Sequence, residues 1–455
     1  MADLKPDIRR RLPAVDQLLS QPEYERLAAL YGRDSVRKQV REGLAGLRKR
    51  ISTLSVEESP QIEDEIDQMT ADIRNRLDTG IGQRIARVLN CTGIFLHTNL
   101  GRAPLPRSVA DDLVPLLDAY CDLEIDLQSG RRGERNRRAE ALLIELTGAE
   151  AALVTNNNAA ALVLVLSTLA RDKQVVVSRG ELVEIGGSFR IPDILKAAGA
   201  HLVEVGTTNR TRLSDYEHAI GPQTGLLLKV DPSNYQMSGF VESVEASGLA
   251  DLGQRLQIPV LMDEGSGVLR PHYASQLSDH ESIQELLEAG CDLVCGSGDK
   301  MLGGPQAGLL VGRRDLVERC RRNALYRALR PDRAVFGALE AVLRLHLSGA
   351  ELPIDRLWCE PQELTRRLRS VAESIGAEIV QAEAFVGGGA APERPIQGEA
   401  LALPGSSSLL ECLRLGDPPV VGYIREGRLI LDLRTLDPQD DSLLVEAVLR
   451  ARTQT

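Results

Sequence analysis

Apolar positions recur every three or four residues through the first 80 positions of the chain. Ile62, Ile66, Met69, Ile73 and Leu77 mark one such face, and RDSVRKQVREGLAGLRKRI is rich in helix formers; both stretches predict helices. Asp78-Thr79-Gly80 ends the later one, with Gly80 suited to a left-handed cap. From about residue 150 the period changes. The β-rich runs AALVT, QVVVS, HLVEVG, LLLKV, IPVLMD, CDLVCG and GLLVG alternate with helix-length segments such as ESVEASGLADLGQRLQ. That alternation predicts βαβ units and an α/β, doubly wound, mostly parallel sheet. Ligands of such sheets gather at the carboxyl ends of the strands. From about residue 340 a helical start leads through VGGGAAP (386–392) to the strand pair PVVGYI and RLILDLR, joined by a hairpin turn at Arg425-Glu426-Gly427. The expected domains are a helical one over 1–82 with its linker, a large one over 83–338 and a small α+β one over 339–455.

Composition narrows the classes. A chain of 455 residues with 43 % apolar and 26 % charged residues is an ordinary globular one. Aromatic residues, at 3 %, are too few for broad base-stacking platforms. The longest apolar run, AAALVLVLSTLA, falls short of the ~20 residues that span a bilayer, so no membrane association is expected. The start MADLKPDIRRRLPAV lacks the apolar core of a signal peptide, which makes the cytoplasm the expected location. A net charge of −11 weighs against a general nucleic-acid or DNA binder. Residues 1–50, however, carry 12 Lys/Arg against 7 Asp/Glu, a basic patch able to meet RNA in one place. The seven cysteines are scattered, and Cys291 and Cys295 read as buried small hydrophobes. The six histidines form neither HExxH nor a Cys/His cluster, and no metal is expected.

The chemistry concentrates in CGSGDKMLGGPQAG, residues 295–308, where Lys300 stands amid bare backbone. A nucleotide-binding P-loop needs Ser or Thr after its lysine; Met301 occupies that place. The other reading is a lysine that forms a Schiff base with pyridoxal 5'-phosphate. That cofactor also needs an acid for its pyridine nitrogen and a cup of N–H groups for its phosphate. Asp263, ending IPVLMD, is the candidate acid. The turn Thr155-Asn156-Asn157-Asn158-Ala159, opening a helix, is the candidate cup. Ser297 is placed to add a hydroxyl, and Asn234 in DPSNY to bond the cofactor's 3-oxygen.

Six ordered segments carry a wider likeness: TGIFLHTNLGRAPLP, LTGAEAALVTNNNAAAL, SRGELVEIGGSFRIPDI, VEVGTTNRT, DPSNYQMSGF and SGDKMLGGPQAG. With them the chain resembles the bacterial L-seryl-tRNA(Sec) selenium transferases over nearly its whole length. The resemblance implies an aspartate-aminotransferase-like (type I) pyridoxal-phosphate fold, with Lys300 as the Schiff-base lysine. It also implies an N-terminal helical domain that contacts tRNA and a homodecamer built from dimers. The implied substrates are seryl-tRNA(Sec) and selenophosphate, with water lost to give a dehydroalanyl-tRNA before selenium adds. Arg102, Arg327 and Arg330 match the family positions of the pocket for the anionic donor. Two residues depart from the family pattern, Glu264 beside Asp263 and Asp231 in DPSNY, and both add negative charge near the site. The competing expectations are a pyridoxal-phosphate lyase acting on a free small molecule and a catalytically silent tRNA-binding scaffold; the second requires loss of Lys300 or Asp263.

Overall fold

The computed structural model describes residues 12–53, 62–80, 85–184, 190–232, 235, 237–271, 277, 280–390, 394–405 and 407–454. They fall into two units, Met1–Arg87 and Val88–Thr455. The first contains α1 (Val15–Leu19), α2 (Pro22–Tyr31), α3 (Arg33–Thr53) and α4 (Ile62–Thr79). Val36, Val40, Leu44 and Leu47 on α3 recur at helical spacing and pack on Met69, Ile73 and Leu77 of α4 and on Leu18, Tyr24 and Leu27. Gly80 departs from its expected role, since it is absent from the left-handed glycines. Its N–H closes the last turn on Arg76 O at 3.0 Å, and a Cβ there would lie 2.8 Å from that oxygen. Close approach, not handedness, favours glycine.

The second unit opens with β1 (Leu89–Asn90), α5 (Arg107–Asp118) and α6 (Arg137–Thr147). Then come β2 (Ala151–Thr155), α7 (Asn158–Leu169), β3 (Gln174–Ser178), α8 (Ile191–Ala197), β4 (His201–Val205), α9 (Leu213–Ala219) and β5 (Thr224–Val230). The unit continues through α10 (Ala246–Leu256), β6 (Val260–Asp263), α11 (Ile283–Glu288), β7 (Leu293–Ser297), β8 (Gly308–Gly312), α12 (Arg314–Arg322), α13 (Ala324–Leu329) and α14 (Arg333–Ser348). Strands β2 to β8 form one sheet in the order β2-β8-β7-β6-β5-β3-β4. Only β8 runs antiparallel to its neighbours, β2 and β7; the β7-β6-β5-β3-β4 pairs are parallel. All seven predicted β-rich runs are strands of this sheet.

Away from the edge strand β4, whose His201 and Glu204 are exposed, the strands are largely apolar at successive positions because both faces are covered. Alternate residues point to opposite faces: Val154, Val176, Leu227, Met262 and Val294 enter one core with α6, α10 and α14. Leu153, Val175, Val177, Leu228, Leu261 and Leu293 enter the other with α7, α8 and α12. Cys291 and Cys295 are buried among these apolar residues, as expected.

The chain ends with α15 (Pro361–Ile375), β9 (Glu378–Ala384), β10 (Ile396–Pro404), α16 (Ser407–Arg414), β11 (Val420–Val421), β12 (Tyr423–Arg425), β13 (Arg428–Leu431) and α17 (Asp441–Arg452). A four-stranded antiparallel sheet runs β12-β13-β10-β9. The expected hairpin is present, but its turn is two residues, Glu426 and Gly427 at φ 53° and 73°, because Arg425 pairs with Arg428 as the last residue of β12. PVVGYI is not one strand, however: Val420 and Val421 pair in parallel with Leu89 and Asn90. None of the described helices is long and apolar enough to cross a membrane.

Candidate active site

The site is built at the carboxyl ends of β2, β5, β6 and β7. Asp263 ends β6 and pairs in register with Cys295 of β7. Its carboxylate is buried and accepts a hydrogen bond from Asn158 Nδ2 at 2.7 Å, with the Cys295 thiol at 3.7 Å. Burial pushes the Asp263 carboxyl up to about 6, against the hydrogen bond from Asn158 and the charge of Lys300. Ser297 closes β7, and three residues on stands Lys300, only 4 % exposed. Burial pushes its ammonium below the usual lysine range, against the opposing pull of Asp263. Two buried groups of opposite sign thus act on each other, and burial shifts each toward its neutral form.

The polar turn before α7 lies against the lysine loop. Asn157 caps the helix, its side chain accepting from Ala160 N–H at 2.9 Å, and its carbonyl accepts from Ala161 N–H at 3.2 Å. Asn158 and Ala159, half-buried, supply the first N–H groups of the helix, where the positive end of the peptide dipoles favours an anion. At Gly308 a Cβ would sit 2.1 Å from Asn157 O. Only glycine lets the end of the lysine loop pass this close to the turn. Asn156 N–H donates to Leu329 O at 2.9 Å, which puts Arg330 next to the same turn.

Of the three arginines, Arg102 and Arg330 are tied to this region. Arg102 adopts φ 63°, and its guanidinium donates to Asp299 Oδ2 at 2.6 Å, next in chain to Lys300. Its positive charge helps hold the Lys300 ammonium down. Arg330 Nε is buried with no hydrogen-bond partner. Arg327 is exposed and is not brought onto the others. Asn234 lies outside the described residues.

The two unusual carboxylates share one cation. Glu264 is fully buried and accepts from Gly267 N–H at 2.6 Å, Val268 N–H at 3.2 Å and Ser266 Oγ. His280 Nε2 lies 2.7 Å from Glu264 Oε1, and its Nδ1 lies 3.3 Å from Asp231 Oδ2. Burial, the largest influence, pushes the imidazole down. Glu264 and Asp231 outweigh it and raise His280 to about 8. Burial likewise pushes Glu264 up, but His280, Ser266 and Gly267 together hold it below the usual carboxylate range. The added charge that the sequence left unexplained is therefore compensated in part: His280 faces both carboxylates, and burial pushes the Asp231 carboxyl up toward its neutral form. His280 and Asp299 are the residues that sequence reading missed. Two extra carboxylates beside Asp263 call for a nearby cation, and that imbalance is the signal for His280. For Asp299 only its adjacency to Lys300 offered one.

This donor set fits a group with a protonated ring nitrogen, an aldehyde and a phosphate arm. The acid, the amine and the open helix start are all present, and Asn158 Oδ1, like Arg330 Nε, is buried without a partner.

Comparison with known proteins agrees. Residues 88–437 match the family described as L-seryl-tRNA selenium transferase, and residues 9–48 match selenocysteine synthase N terminal. The L-seryl-tRNA(Sec) selenium transferase of Alkaliphilus metalliredigens is 39 % identical over 97 % of this chain and 98 % of its own. That of Geobacter sulfurreducens is 42 % identical over 96 % and 98 %. That of Aquifex aeolicus is 43 % identical over 81 % and 85 %. Among solved structures, D-glucosaminate-6-phosphate ammonia-lyase superposes with a TM-score of 0.59 at 19 % identity, covering 83 % of this chain and 98 % of that one; at that identity the likeness speaks to fold alone.

Proposed function

This chain belongs to the L-seryl-tRNA selenium transferase family, and we propose that it converts L-seryl-tRNA(Sec) to L-selenocysteinyl-tRNA(Sec) with selenophosphate as the selenium donor and Lys300 as the central catalytic residue. Its cofactor is pyridoxal 5'-phosphate. The observation that carries the reading is that Lys300 and Asp263 are both buried, each acting electrostatically on the other, beside the open start of α7. The lyase reading fares worse, because the relatives named selenium transferases match this chain over nearly its full length, N-terminal residues included. The silent scaffold fails on its own terms, since Lys300 and Asp263 are both present.

In this assignment Asp263 holds the ring nitrogen protonated, Asn158 orients Asp263, and the Asn157–Ala159 turn with Ser297 holds the phosphate end. Asn234 is assigned to the 3-oxygen. When bound, pyridoxal phosphate supplies a sink for the electron pair released at the seryl Cα. Lys300, its ammonium already destabilised by burial, takes the Cα proton as general base. The seryl hydroxyl leaves Cβ as water, carrying the proton that Lys300 took from Cα. The selenium of selenophosphate then bonds to Cβ while Cα regains a proton, and water cleaves the Se–P bond to release phosphate. Arg330 and Arg102 bind the multiply charged donor through forked N–H groups. Asp299 aims Arg102. Arg327 joins them from a position that is exposed in the single chain.

A helical unit reading seryl-tRNA(Sec) through residues 1–82, a decamer of dimers and a cytoplasmic location complete the proposal; the match of residues 9–48 supports the first. Lys300→Ala and Arg330→Ala form the direct test. Lys300→Ala loses the visible absorbance of the cofactor-loaded protein and all turnover. Arg330→Ala keeps the absorbance and loses selenium transfer by roughly a hundredfold, the scale of a charge-assisted contact of ~3 kcal/mol. Retained absorbance in the first variant, or unchanged transfer in the second, removes that residue from its role.

A further inference from the structure

The Glu264–His280–Asp231 cluster has no part in the chemistry above, yet it sits directly behind it. Glu264 N–H donates to Cys295 O at 3.0 Å, and Asp231 N–H donates to Asp263 O at 2.9 Å. The backbone of both carboxylates is thus bonded into the strand ends that carry Asp263. Glu264 also folds the turn that follows, taking N–H groups from Gly267 and Val268. From that turn Ser266 O accepts Met301 N–H at 2.8 Å, one residue beyond Lys300. The same buried side chain therefore underlies both halves of the site.

A fully buried carboxylate next to a second one is costly unless a cation is close. His280 is the cation at hand: its Nε2 is shared between Glu264 Oε1 and Ser266 Oγ at 2.7 and 2.8 Å, and its Nδ1 faces Asp231. Asp231 Oδ2 is buried and has no hydrogen bond of its own, so the imidazole at 3.3 Å is its nearest compensation. The remaining charges acting on the pair are Glu281 on His280, and Lys229 and Lys300 on Asp231. Glu264 in turn acts on Asp263, making its carboxylate harder to ionise.

We propose that His280 is a positioning residue for the cofactor site: bridging Glu264 and Asp231, it keeps their charge from adding to that of Asp263 and fixes the turn that holds Lys300. This rests on Asp263 being the anchor of the pyridine nitrogen. Without the imidazolium, the uncompensated charge of Glu264 opposes ionisation of Asp263 and weakens its grip on a protonated ring. Removing the Glu264 charge as well relieves that opposition.

The test is equilibrium binding of pyridoxal 5'-phosphate to cofactor-stripped protein, followed by visible absorbance between pH 6 and 9. It compares wild type, Asp263→Asn, His280→Gln, Glu264→Gln and Glu264→Gln/His280→Gln. His280→Gln is expected to bind about tenfold more weakly at pH 7, the effect of one pKa unit at the acid, while the double variant recovers most of that loss. The wild type is expected to approach the affinity of His280→Gln as pH rises past about 8, where the imidazole loses its proton; Glu264→Gln lacks that decline. Equal affinity in His280→Gln and wild type overturns the proposal, as does a double variant no better than the single one. If His280→Gln does not fold, a double variant that folds and binds cofactor supports the proposal, and one that does not overturns it. Asp263→Asn separates the two levels: if it binds as wild type does, the anchor assignment fails whatever His280 does.

Discussion

At the scale of single residues, Asp263 is held against its own preference. Its carboxyl is raised to about 6 by burial, well above the ordinary ~3.9 of an unfolded chain. Between about pH 4 and 6 the folded apoprotein therefore holds a proton there that the unfolded chain gives up, so folding stability falls as pH rises through that window and the full cost persists above it. Asp263→Asn should accordingly raise the melting temperature of the cofactor-free chain at pH 8, by an amount corresponding to at most roughly 3 kcal/mol, with the gain shrinking toward pH 5. The same variant should lose cofactor affinity. A melting temperature unchanged at pH 8 contradicts the strained carboxylate. Asp263 was legible as a candidate because it ends the β-rich run IPVLMD, and Lys300 because it stands in the glycine-rich loop just after CDLVCG; both positions fall at the ligand edge of the sheet. His280 was not, because it reaches Glu264 from sixteen residues away, a separation with no periodic signature.

At the scale of elements, α7 does two things at once. Its start presents N–H groups to the site, and its body buries Ala161, Leu162, Leu164, Val165 and Leu166 against the sheet. Asn157 caps it, and two substitutions divide the roles. Asn157→Ala should cost about 1 kcal/mol of stability through the lost cap. Asn157→Asp keeps the cap and the stability but sets a negative charge against the cofactor's phosphate, so pyridoxal phosphate should bind several-fold more weakly. Equal affinity in Asn157→Asp and wild type would take the phosphate away from this turn. Away from the edge strand β4, the strands of the large sheet were readable because burial on both faces makes them nearly continuous apolar runs. The division of PVVGYI between two sheets was not. It depends on β1, some 330 residues earlier in the chain, which a local pattern cannot report.

At the scale of the whole molecule, charge is divided along the chain: residues 1–50 sum to +5 and the remainder to −16. Lys38 and Arg41 are exposed and three residues apart on α3, the spacing of one helix face. Lys38→Glu/Arg41→Glu should weaken seryl-tRNA(Sec) binding and cut the slope of log affinity against log salt by roughly one to two, as expected for two lost phosphate contacts. Cofactor absorbance should be untouched. An unchanged salt slope places the tRNA elsewhere. Selenium transfer to tRNA-bound serine is measured by giving the cofactor-loaded protein selenophosphate with seryl-tRNA(Sec), seryl-tRNA(Ser) or free serine and identifying the aminoacyl product. Selenocysteinyl-tRNA should form from seryl-tRNA(Sec) alone. Turnover of free serine, with no product from seryl-tRNA(Sec), would contradict the account.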